Sequence, residues 1–413
     1  MAHVEDRWHK AAPGGGQERT ERYGGGRRWR VRYADPDGKE RNRSFDKKVD
    51  AERFRTQVEA DVLRGSYIDP DAGRITLRKY ALGWLDAQQF DAVTREAVES
   101  RIRLHILPAL GDRRIDQITP SMVQAWVSGM KLAPATVGKV FTHLNTIMRN
   151  ALIDGRIRLN PCQVNIKLPR PASRRVAPWT PDQREAVRGA LPPHLMALVD
   201  AGCDLGLRQS ELFGLAVEEI DFMRRTVHVR QQVKVIGGRL WFALPKGGKE
   251  RAVPLPGPTG LVLSAHIAEF AVRVTLPWHE PGDRRRHGQD HAATLLFATS
   301  EARALHRNAF NEHVWRPARI AAGLVAGREN GCHAMRHLYA STLIARGVDP
   351  RTAAAYLGHA DGGALILRTY AHLMPDAEDR ARKAIEEALR DAEKRPGNRA
   401  ARPGDGPRSE KSS

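Results

Sequence analysis

Four consecutive stretches of helical periodicity constrain the fold of this chain more than any other feature. Between residues 75 and 168, apolar side chains recur every three or four positions. Thr76 and Thr119 are typical helix N-caps, and Pro120 suits the first helical position. Gly155 is a stop signal for the last stretch. Amphipathic helices with short connections predict a compact helical bundle over residues 74–168.

The residues before the bundle predict a small α+β domain at 20–70. Arg28, Arg30 and Arg32 alternate with apolar residues, which is typical of a half-buried strand with one basic face. A turn and a second strand follow, and then a helix over residues 47–64. We expect the basic face to bind DNA, and the alternative is a solvated face on a structural appendage. Residues 1–19 are polar and glycine-rich, so a disordered tail is expected there.

A proline-rich basic segment at residues 169–178 is the predicted linker to a third domain at residues 179–394. Thr180 is a predicted N-cap, and strands are predicted at residues 226–231, 240–244 and 251–255. Lys246 lies in the turn between the last two strands, and residues 277–292 are predicted to form an exposed loop. Residues 395–413 have the composition of a disordered tail. The predicted fold class is multidomain and mainly α, with small β-sheets.

The charge balance indicates a polyanionic partner. The 413 residues include 67 Lys and Arg against 48 Asp and Glu, a formal net charge of +19. Nucleic acid is the first candidate for such a surplus. A membrane partner is not expected, because no apolar run approaches the length of about 20 residues that a span requires. The N-terminus lacks the apolar core of a signal peptide, and three scattered cysteines suggest neither disulfides nor a zinc site, so a reduced cytoplasmic location is expected.

Residues 332–372 concentrate the side chains that can carry chemistry. His333 and Arg336 are three residues apart, so on a helix they project from one face. His359 follows in a Leu-Gly-His sequence, and Tyr370 lies eleven positions after it. A guanidinium group suits phosphate because it holds two oxygens at once, and a phenol oxygen is a candidate nucleophile. The segment therefore predicts chemistry on a phosphate.

Five motifs in order resemble those of the tyrosine recombinases, the phage-integrase family. Gly206-Leu207-Arg208-Gln209-Ser210-Glu211-Leu212 resembles the first arginine motif of that family. Lys246, with Lys249 as the alternative, resembles its lysine on a β-hairpin. His333 and Arg336 resemble its H-x-x-R box. His359 resembles its second histidine motif, and Tyr370 resembles its nucleophile.

The resemblance extends to the domains. Residues 20–70 are similar to an arm-type DNA-binding domain, and residues 74–168 are similar to a core-type DNA-binding domain. For residues 179–394 the resemblance implies a mixed α+β catalytic domain of the DNA breaking-rejoining type. It also implies a site-specific recombinase that integrates or excises a phage or mobile element and requires no metal or ATP.

The resemblance implies a role for each site residue. Tyr370 would attack a DNA phosphorus to form a 3′-phosphotyrosyl link. Arg208 and Arg336 would neutralise the phosphate oxygens, and Lys246 would protonate the departing 5′-oxygen.

The remaining roles are supporting ones. His333 would accept the proton from Tyr370, His359 would hydrogen-bond the phosphate, and Glu211 would hold Arg208 or His333 in place. His337 and His372 are interpreted as structural or auxiliary.

The implied partners are double-stranded DNA at attachment sites and further copies of the chain in a tetramer on that DNA. Excisionase and DNA-bending host factors are possible further partners, and association with a bacterial nucleoid follows from the substrate. Two alternatives remain: a catalytically idle DNA-binding protein of the same fold and a type IB-like topoisomerase.

Overall fold

The computed structural model describes residues 2–11, 16–36, 38–65, 67, 69, 71–170, 177–374 and 377–394. The chain divides into two compact units, Met1–Ser173 and Arg174–Ser413. The division falls within the predicted linker, of which residues 171–176 lie outside the described part. The predicted tail at 395–413 also lies outside it.

The first unit begins with a small sheet covered by one helix. Its elements are β1 (His3–Asp6), β2 (His9–Ala11), β3 (Gln17–Arg19), β4 (Trp29–Ala34), β5 (Glu40–Phe45) and α1 (Lys48–Leu63). The main sheet has the order β1-β4-β5, and β2 pairs with β3 in a separate ribbon. Val31 and Tyr33 of β4 are buried in one cluster with Ala51 and Val58 of α1. The predicted strand-turn-strand-helix order is confirmed.

The expectation of a disordered tail at residues 1–19 is wrong for the described residues of that segment. Strand β1 pairs antiparallel with β4, with His3 opposite Arg32 and Asp6 opposite Trp29. The two acids of β1 account for this order, because Glu5 binds Arg32 at 3.1 Å and Asp6 binds Arg28 at 2.8 Å. Opposite charges on adjacent strands stabilise the pairing.

The predicted helical bundle follows and is confirmed. It contains α2 (Leu77–Ala87), α3 (Ala92–Arg101), α4 (Leu107–Leu110), α5 (Pro120–Gly129) and α6 (Pro134–Ile153). A π-helical turn, Ile102–Ile106, joins α3 to α4. Thr76 and Thr119 are N-caps as predicted, since their hydroxyls accept from the backbone N–H groups of Lys79 and Met122. The apolar face of each helix is directed into one core.

The second unit combines helices with two small sheets. Its helices are α7 (Pro181–Gly189), α8 (Pro193–Leu205), α9 (Gln209–Phe213), α10 (Gly257–Phe270), α11 (Arg307–Phe310), α12 (Arg316–Ala321), α13 (His333–Ala345), α14 (Pro350–Leu357), α15 (Ala364–Tyr370) and α16 (Ala377–Lys394). Its strands are β6 (Ile220–Asp221), β7 (Thr226–Val229), β8 (Gln232–Ile236), β9 (Arg239–Ala243), β10 (Arg251–Pro254), β11 (Val272–His279) and β12 (Asp290–Leu295). The predicted cap at Thr180 is present, with Gln183 completing a capping box. The mainly helical, multidomain fold class is confirmed.

The strands of this unit differ from prediction in two ways. Strands β9 and β10 do not form a hairpin, because β9 lies in the sheet β12-β11-β9-β8 and β10 lies in the sheet β10-β7-β6. Lys246 therefore lies in a connection between two sheets. The predicted loop at 277–292 is partly strand, with Pro277 of β11 opposite Asp290 of β12. Burial of Trp278, which is only 4 % exposed, accounts for the order of this segment.

None of the helices in the described part of the chain combines the length and apolar character needed to cross a bilayer.

Candidate active site

Two glycines at helix ends bring the distant motifs of the second unit together. Helix α8 ends at Gly206 and α14 ends at Gly358, both in the left-handed region with φ of 63°. A side chain would collide with its surroundings at Gly206 and would be tightly packed at Gly358. A Cβ on Gly206 would lie 2.3 Å from the ring of Tyr339, and one on Gly358 would lie 3.2 Å from Nη1 of Arg251. Both helices therefore end abruptly, and their terminal carbonyl groups accept from arginines.

Arg208 follows the first of these glycines and reaches the second. Its Nη2 donates to the carbonyl of Gly358 at 3.0 Å, and its Nη1 donates to Oε1 of Glu211 at 2.8 Å. The backbone N–H of Arg208 donates to Oε2 of the same carboxylate at 2.9 Å. The first arginine motif and the second histidine motif are thus joined directly.

Glu211 is buried and bound by a second arginine, Arg251 of β10. Arg251 donates to Oε1 at 3.0 Å and to Oε2 at 2.6 Å. Burial alone would raise the pKa of the Glu211 carboxyl, but the hydrogen bonds and charges of Arg251 and Arg208 outweigh it and lower the pKa to about 2. The carboxylate is ionised at neutral pH. Sequence reasoning assigned no role to Arg251, although it lies in the same motif as Lys246.

Arg336 of α13 is 3 % exposed and lies between the two helix ends. Its Nη1 donates to the carbonyl of Gly206 at 2.8 Å, and its Nη2 donates to the carbonyl of Leu357 and to Nε2 of His359, the latter at 3.0 Å. Burial, together with the charge of Arg208, lowers its pKa to about 9. The guanidinium is still charged at neutral pH. No carboxylate hydrogen-bonds to it among the residues that the structure describes.

The contact with Arg336 assigns the tautomer of His359. A guanidinium can only donate, so Nε2 of His359 accepts and the ring proton lies on Nδ1. Burial and the charges of Arg336 and Arg208 lower the pKa of His359 to about 4, so the ring is neutral at pH 7. Its Nδ1 is buried and has no hydrogen-bond partner within the described residues. An acceptor from outside the chain would reach this N–H only after the residues around it move.

Tyr370 is paired with His337 and not with His333. The Tyr370 hydroxyl lies 2.5 Å from Nδ1 of His337, and the tyrosine is 5 % exposed. Burial raises the pKa of Tyr370 to about 12, with the charge of Arg336 opposing it, and burial also lowers the pKa of His337. The phenol is therefore protonated and the imidazole neutral, and the tautomer of His337 decides which of the two atoms donates.

His333 lies one helical turn before His337, with its ring perpendicular to the His337 ring and 4.8 Å away between centroids. Burial, followed by the charges of His337 and Arg336, lowers its pKa to about 4. The position of His337 beside His333 could have been inferred from the sequence. Positions 333 and 337 are four apart, so both face the same side of α13.

Tyr370, His337 and His333 contact one another, and Arg208, Arg336 and His359 form a second group. Within the described residues, Lys246 is the one predicted catalytic residue with no contact in either group. It is exposed in the connection between β9 and β10, as is the alternative, Lys249. The connection nevertheless leads directly into Arg251, the first residue of β10. His372, interpreted as auxiliary, is also exposed.

The three arginines predicted to bind DNA in the first unit are not equivalent. Arg28 donates to Asp6 through Nε and Nη2, and Arg32 binds Glu5, so both are engaged in ion pairs within the sheet. Arg30 lies between them on β4, and its buried Nε has no partner within the described residues.

Two family models match the chain. The phage integrase family matches residues 186–376, and the phage integrase N-terminal SAM-like domain matches residues 76–131. Together they span more than half of the 413 residues.

Several relatives are similar over most of their length. A prophage phiRv2 integrase of Mycobacterium tuberculosis is 26 % identical over 85 % of this chain and 91 % of its own. The integrase of Mycobacterium phage D29 is 24 % identical over 84 % of this chain and 90 % of its own. The tyrosine recombinase XerD of Brucella abortus is 32 % identical, over 47 % of this chain and 52 % of its own.

Solved structures show the same fold. The Tn1549 transposon integrase in complex with a circular intermediate DNA has a TM-score of 0.63, with 19 % identity over 76 % of this chain and 99 % of its own. A lambda integrase tetramer bound to a Holliday junction has a TM-score of 0.53, with 19 % identity over 81 % of this chain and 94 % of its own. The chain therefore belongs to the phage integrase family, whose members are tyrosine-type site-specific recombinases.

Proposed function

We propose that this chain cleaves and rejoins duplex DNA at attachment sites through a 3′-phosphotyrosyl intermediate on Tyr370, and so integrates or excises a phage or mobile element. One observation carries the proposal. Arg208, Arg336 and His359 come from motifs up to 151 residues apart, yet their side chains form one hydrogen-bonded network around two helix ends. The same stretch of α13 that holds Arg336 also holds the partner of the tyrosine.

The positive charge of the network suits a phosphodiester. Arg336 binds carbonyl groups and an imidazole, so its buried charge lacks a hydrogen-bonded carboxylate among the described residues. A phosphate would supply the anion, and the remaining guanidinium N–H groups of Arg208 and Arg336 would stabilise the charge on its non-bridging oxygens. The Nδ1–H of His359 would donate to one of those oxygens.

The reaction then balances with groups of this chain. The Tyr370 oxygen forms a bond to phosphorus as the bond from phosphorus to the DNA 5′-oxygen breaks. The phenolic proton passes to Nδ1 of His337, which is already within hydrogen-bond distance. Lys246 gives a proton to the departing 5′-oxygen, which requires the exposed connection to close over bound DNA. A second 5′-hydroxyl reverses the step, because the phosphotyrosyl bond keeps the energy of the phosphodiester.

The first unit would supply DNA affinity. In this proposal, the bundle binds the core of the attachment site and the N-terminal sheet binds arm sites, with Arg30 as the contact best placed for a phosphate. Recombination requires two duplexes with two cleavage sites each, so four copies of the chain would act together, as in the lambda integrase tetramer bound to a Holliday junction. Excisionase and DNA-bending factors would set the direction, on nucleoid DNA in a bacterial cytoplasm.

The test is covalent capture of DNA. Nicked duplexes drawn from the DNA that flanks the coding region are incubated with protein in EDTA, and the products are separated in SDS. We expect a protein–DNA adduct with the wild type and none with Tyr370→Phe. Tyr356→Phe is the matched control, because only its backbone carbonyl contacts the network, and it should form the adduct.

The same experiment separates the alternatives. Wild-type protein that binds the duplex without forming an adduct would contradict the proposal and favour the idle DNA-binding protein. An adduct followed by relaxation of supercoiled DNA without any exchange between duplexes would favour a topoisomerase.

A further inference from the structure

We infer that Arg251 is a positioning residue of this site, which holds Glu211 ionised so that the charge of Arg208 remains available to phosphate. The inference rests on the proposed function, because it assigns a role in the same reaction. Arg251 would not touch the DNA in this role. It acts through Glu211 and through the end of helix α14.

Glu211 is bound by two arginines. The carboxylate side chain is 0 % exposed, and each of its oxygens accepts one hydrogen bond from Arg251 and one from Arg208. Two arginines and one carboxylate leave one net positive charge. Because Arg251 forms the bidentate pair, Arg208 needs to donate only one side-chain nitrogen to the carboxylate. Without Arg251, the buried carboxylate of Glu211 would be neutralised by Arg208 alone, and no net positive charge would remain for a phosphate.

Arg251 also contacts the end of helix α14. Arg251 donates from Nε to the carbonyl of Tyr356 at 2.7 Å, and Arg208 donates to the carbonyl of Gly358 at 3.0 Å. These two carbonyls belong to the last turn before His359. Arg251 is 8 % exposed at its side chain and fits against Gly358, where even a Cβ would approach its Nη1 to 3.2 Å. The orientation of His359 therefore depends on Arg251 as well.

The side chain of Arg251 contacts residues outside its own strand. Arg251 is the first residue of β10 and its backbone pairs with Val229 of β7, so the strand is held without the side chain. The guanidinium instead extends from the sheet to residues 105 and 40 positions away in the sequence, Tyr356 and Glu211. All its recorded hydrogen bonds are made to the two elements that carry the phosphate-binding groups.

The experiment compares Arg251→Gln with the wild type in formation of the covalent adduct on two nicked duplexes. One carries the native phosphodiester at the cleavage site, and the other carries a methylphosphonate, which has no negative charge there. If Arg251 frees the charge of Arg208, Arg251→Gln should form the adduct about 100-fold more slowly on the native duplex. On the methylphosphonate the deficit should shrink to within about 5-fold, because little charge needs to be neutralised.

A conservative variant and a surface variant complete the design. Arg251→Lys keeps the charge but loses the bidentate geometry, so its deficit on the native duplex should be smaller than that of Arg251→Gln. If thermal unfolding shows that Arg251→Gln does not fold, Arg251→Lys replaces it in the comparison of the two duplexes. Arg239→Gln, at an exposed position of β9, is the matched control and should behave as the wild type on both duplexes.

The outcomes are distinguishable. A deficit of equal size on both duplexes would overturn the inference and leave Arg251 a structural residue, as would native-duplex rates within about 3-fold of the wild type. Failure of the wild type to form any adduct would instead overturn the proposed function.

Discussion

The hydroxyl oxygen of Tyr370 lies 2.5 Å from Nδ1 of His337, within hydrogen-bond distance. His333, the residue that family resemblance favours as proton acceptor, is one helical turn away and contacts the His337 ring instead. The candidate nucleophile is thus held by a base while it is 5 % exposed. The tyrosine must leave this buried position, or DNA must enter it, before a phosphorus can be attacked.

The first prediction concerns this pair. His337→Gln should slow formation of the covalent adduct by about 100-fold or more, because the phenol loses its proton acceptor. His333→Gln should have a smaller effect. Both rates are measured on a nicked duplex at saturating protein, with DNA binding measured separately. If His333→Gln slowed adduct formation more than His337→Gln, His333 would be the proton acceptor.

The second prediction concerns the helix-end glycines. Gly358→Ala should lower the free energy of unfolding by about 1–2 kcal/mol, because alanine is strained at a φ of 63°. Gly206→Ala should cost more, since its Cβ would also lie 2.3 Å from the ring of buried Tyr339. Denaturant unfolding measures both changes.

Gly189→Ala is the control for that series. Gly189 ends α7, and a Cβ there meets nothing within 4 Å. This variant should be neutral or slightly stabilising. Equal destabilisation by all three substitutions would show that the strained backbone is not the cause.

The third prediction concerns pH. The pKa values of His333 and His359 fall from the ordinary 6.5 to about 4 in the folded chain, so the unfolded chain binds more protons between these values. The contribution of these two histidines to the free energy of unfolding is therefore fully present above pH 6.5, and it is lost as the pH falls toward 4. Glu211 acts in a lower window, since its pKa falls from 4.5 to about 2.

Denaturant unfolding at pH 7.5 and pH 5 checks this. The wild type should lose stability at the lower pH, and a variant with both His333→Gln and His359→Gln should lose less. Other buried histidines, such as His266, have pKa shifts of the same sign, so the difference between the two proteins is the relevant quantity. An identical loss in both proteins would contradict the prediction.

The fourth prediction concerns the turn lysine. Lys246→Ala should slow cleavage of a native duplex strongly, because the departing 5′-oxygen receives no proton. A duplex with sulfur in place of that bridging oxygen should restore the rate, since a thiolate leaves without one. Lys249→Ala is the matched control and should be close to the wild type on both. If the sulfur-containing duplex instead restored the cleavage rate of Lys249→Ala, Lys249 and not Lys246 would be the residue that protonates the 5′-oxygen.

Much of this site could be predicted because its reactive residues stand beside helix boundaries that the sequence marks. Arg208 and His359 each follow a glycine that ends a helix, and Arg336 lies in the first turn of α13. The order and spacing of these residues along the chain are then enough to assign them to one predicted site. The contact between His337 and Tyr370 could not be predicted, because it depends on how α15 packs against α13.

The remaining features depend on contacts between distant residues. Arg251 resembles any basic residue at the start of a strand, and only its approach to Glu211 and Tyr356 reveals its position. The order of β1 could not be predicted from its polar sequence, because it depends on pairing with β4 and on ion pairs with Arg28 and Arg32. The β11–β12 pair was missed for a similar reason, since a buried Trp278 cannot be told from an exposed one by composition.

The bond between Arg208 and the carbonyl of Gly358 has a consequence for biosynthesis. The two residues are 150 positions apart, so a ribosome must add the whole of α13 and α14 before the first arginine acquires its partner. A chain that ends before Gly358 would leave Arg208 without this hydrogen bond. Any role of Arg208 in binding phosphate therefore requires a chain that extends at least as far as Gly358.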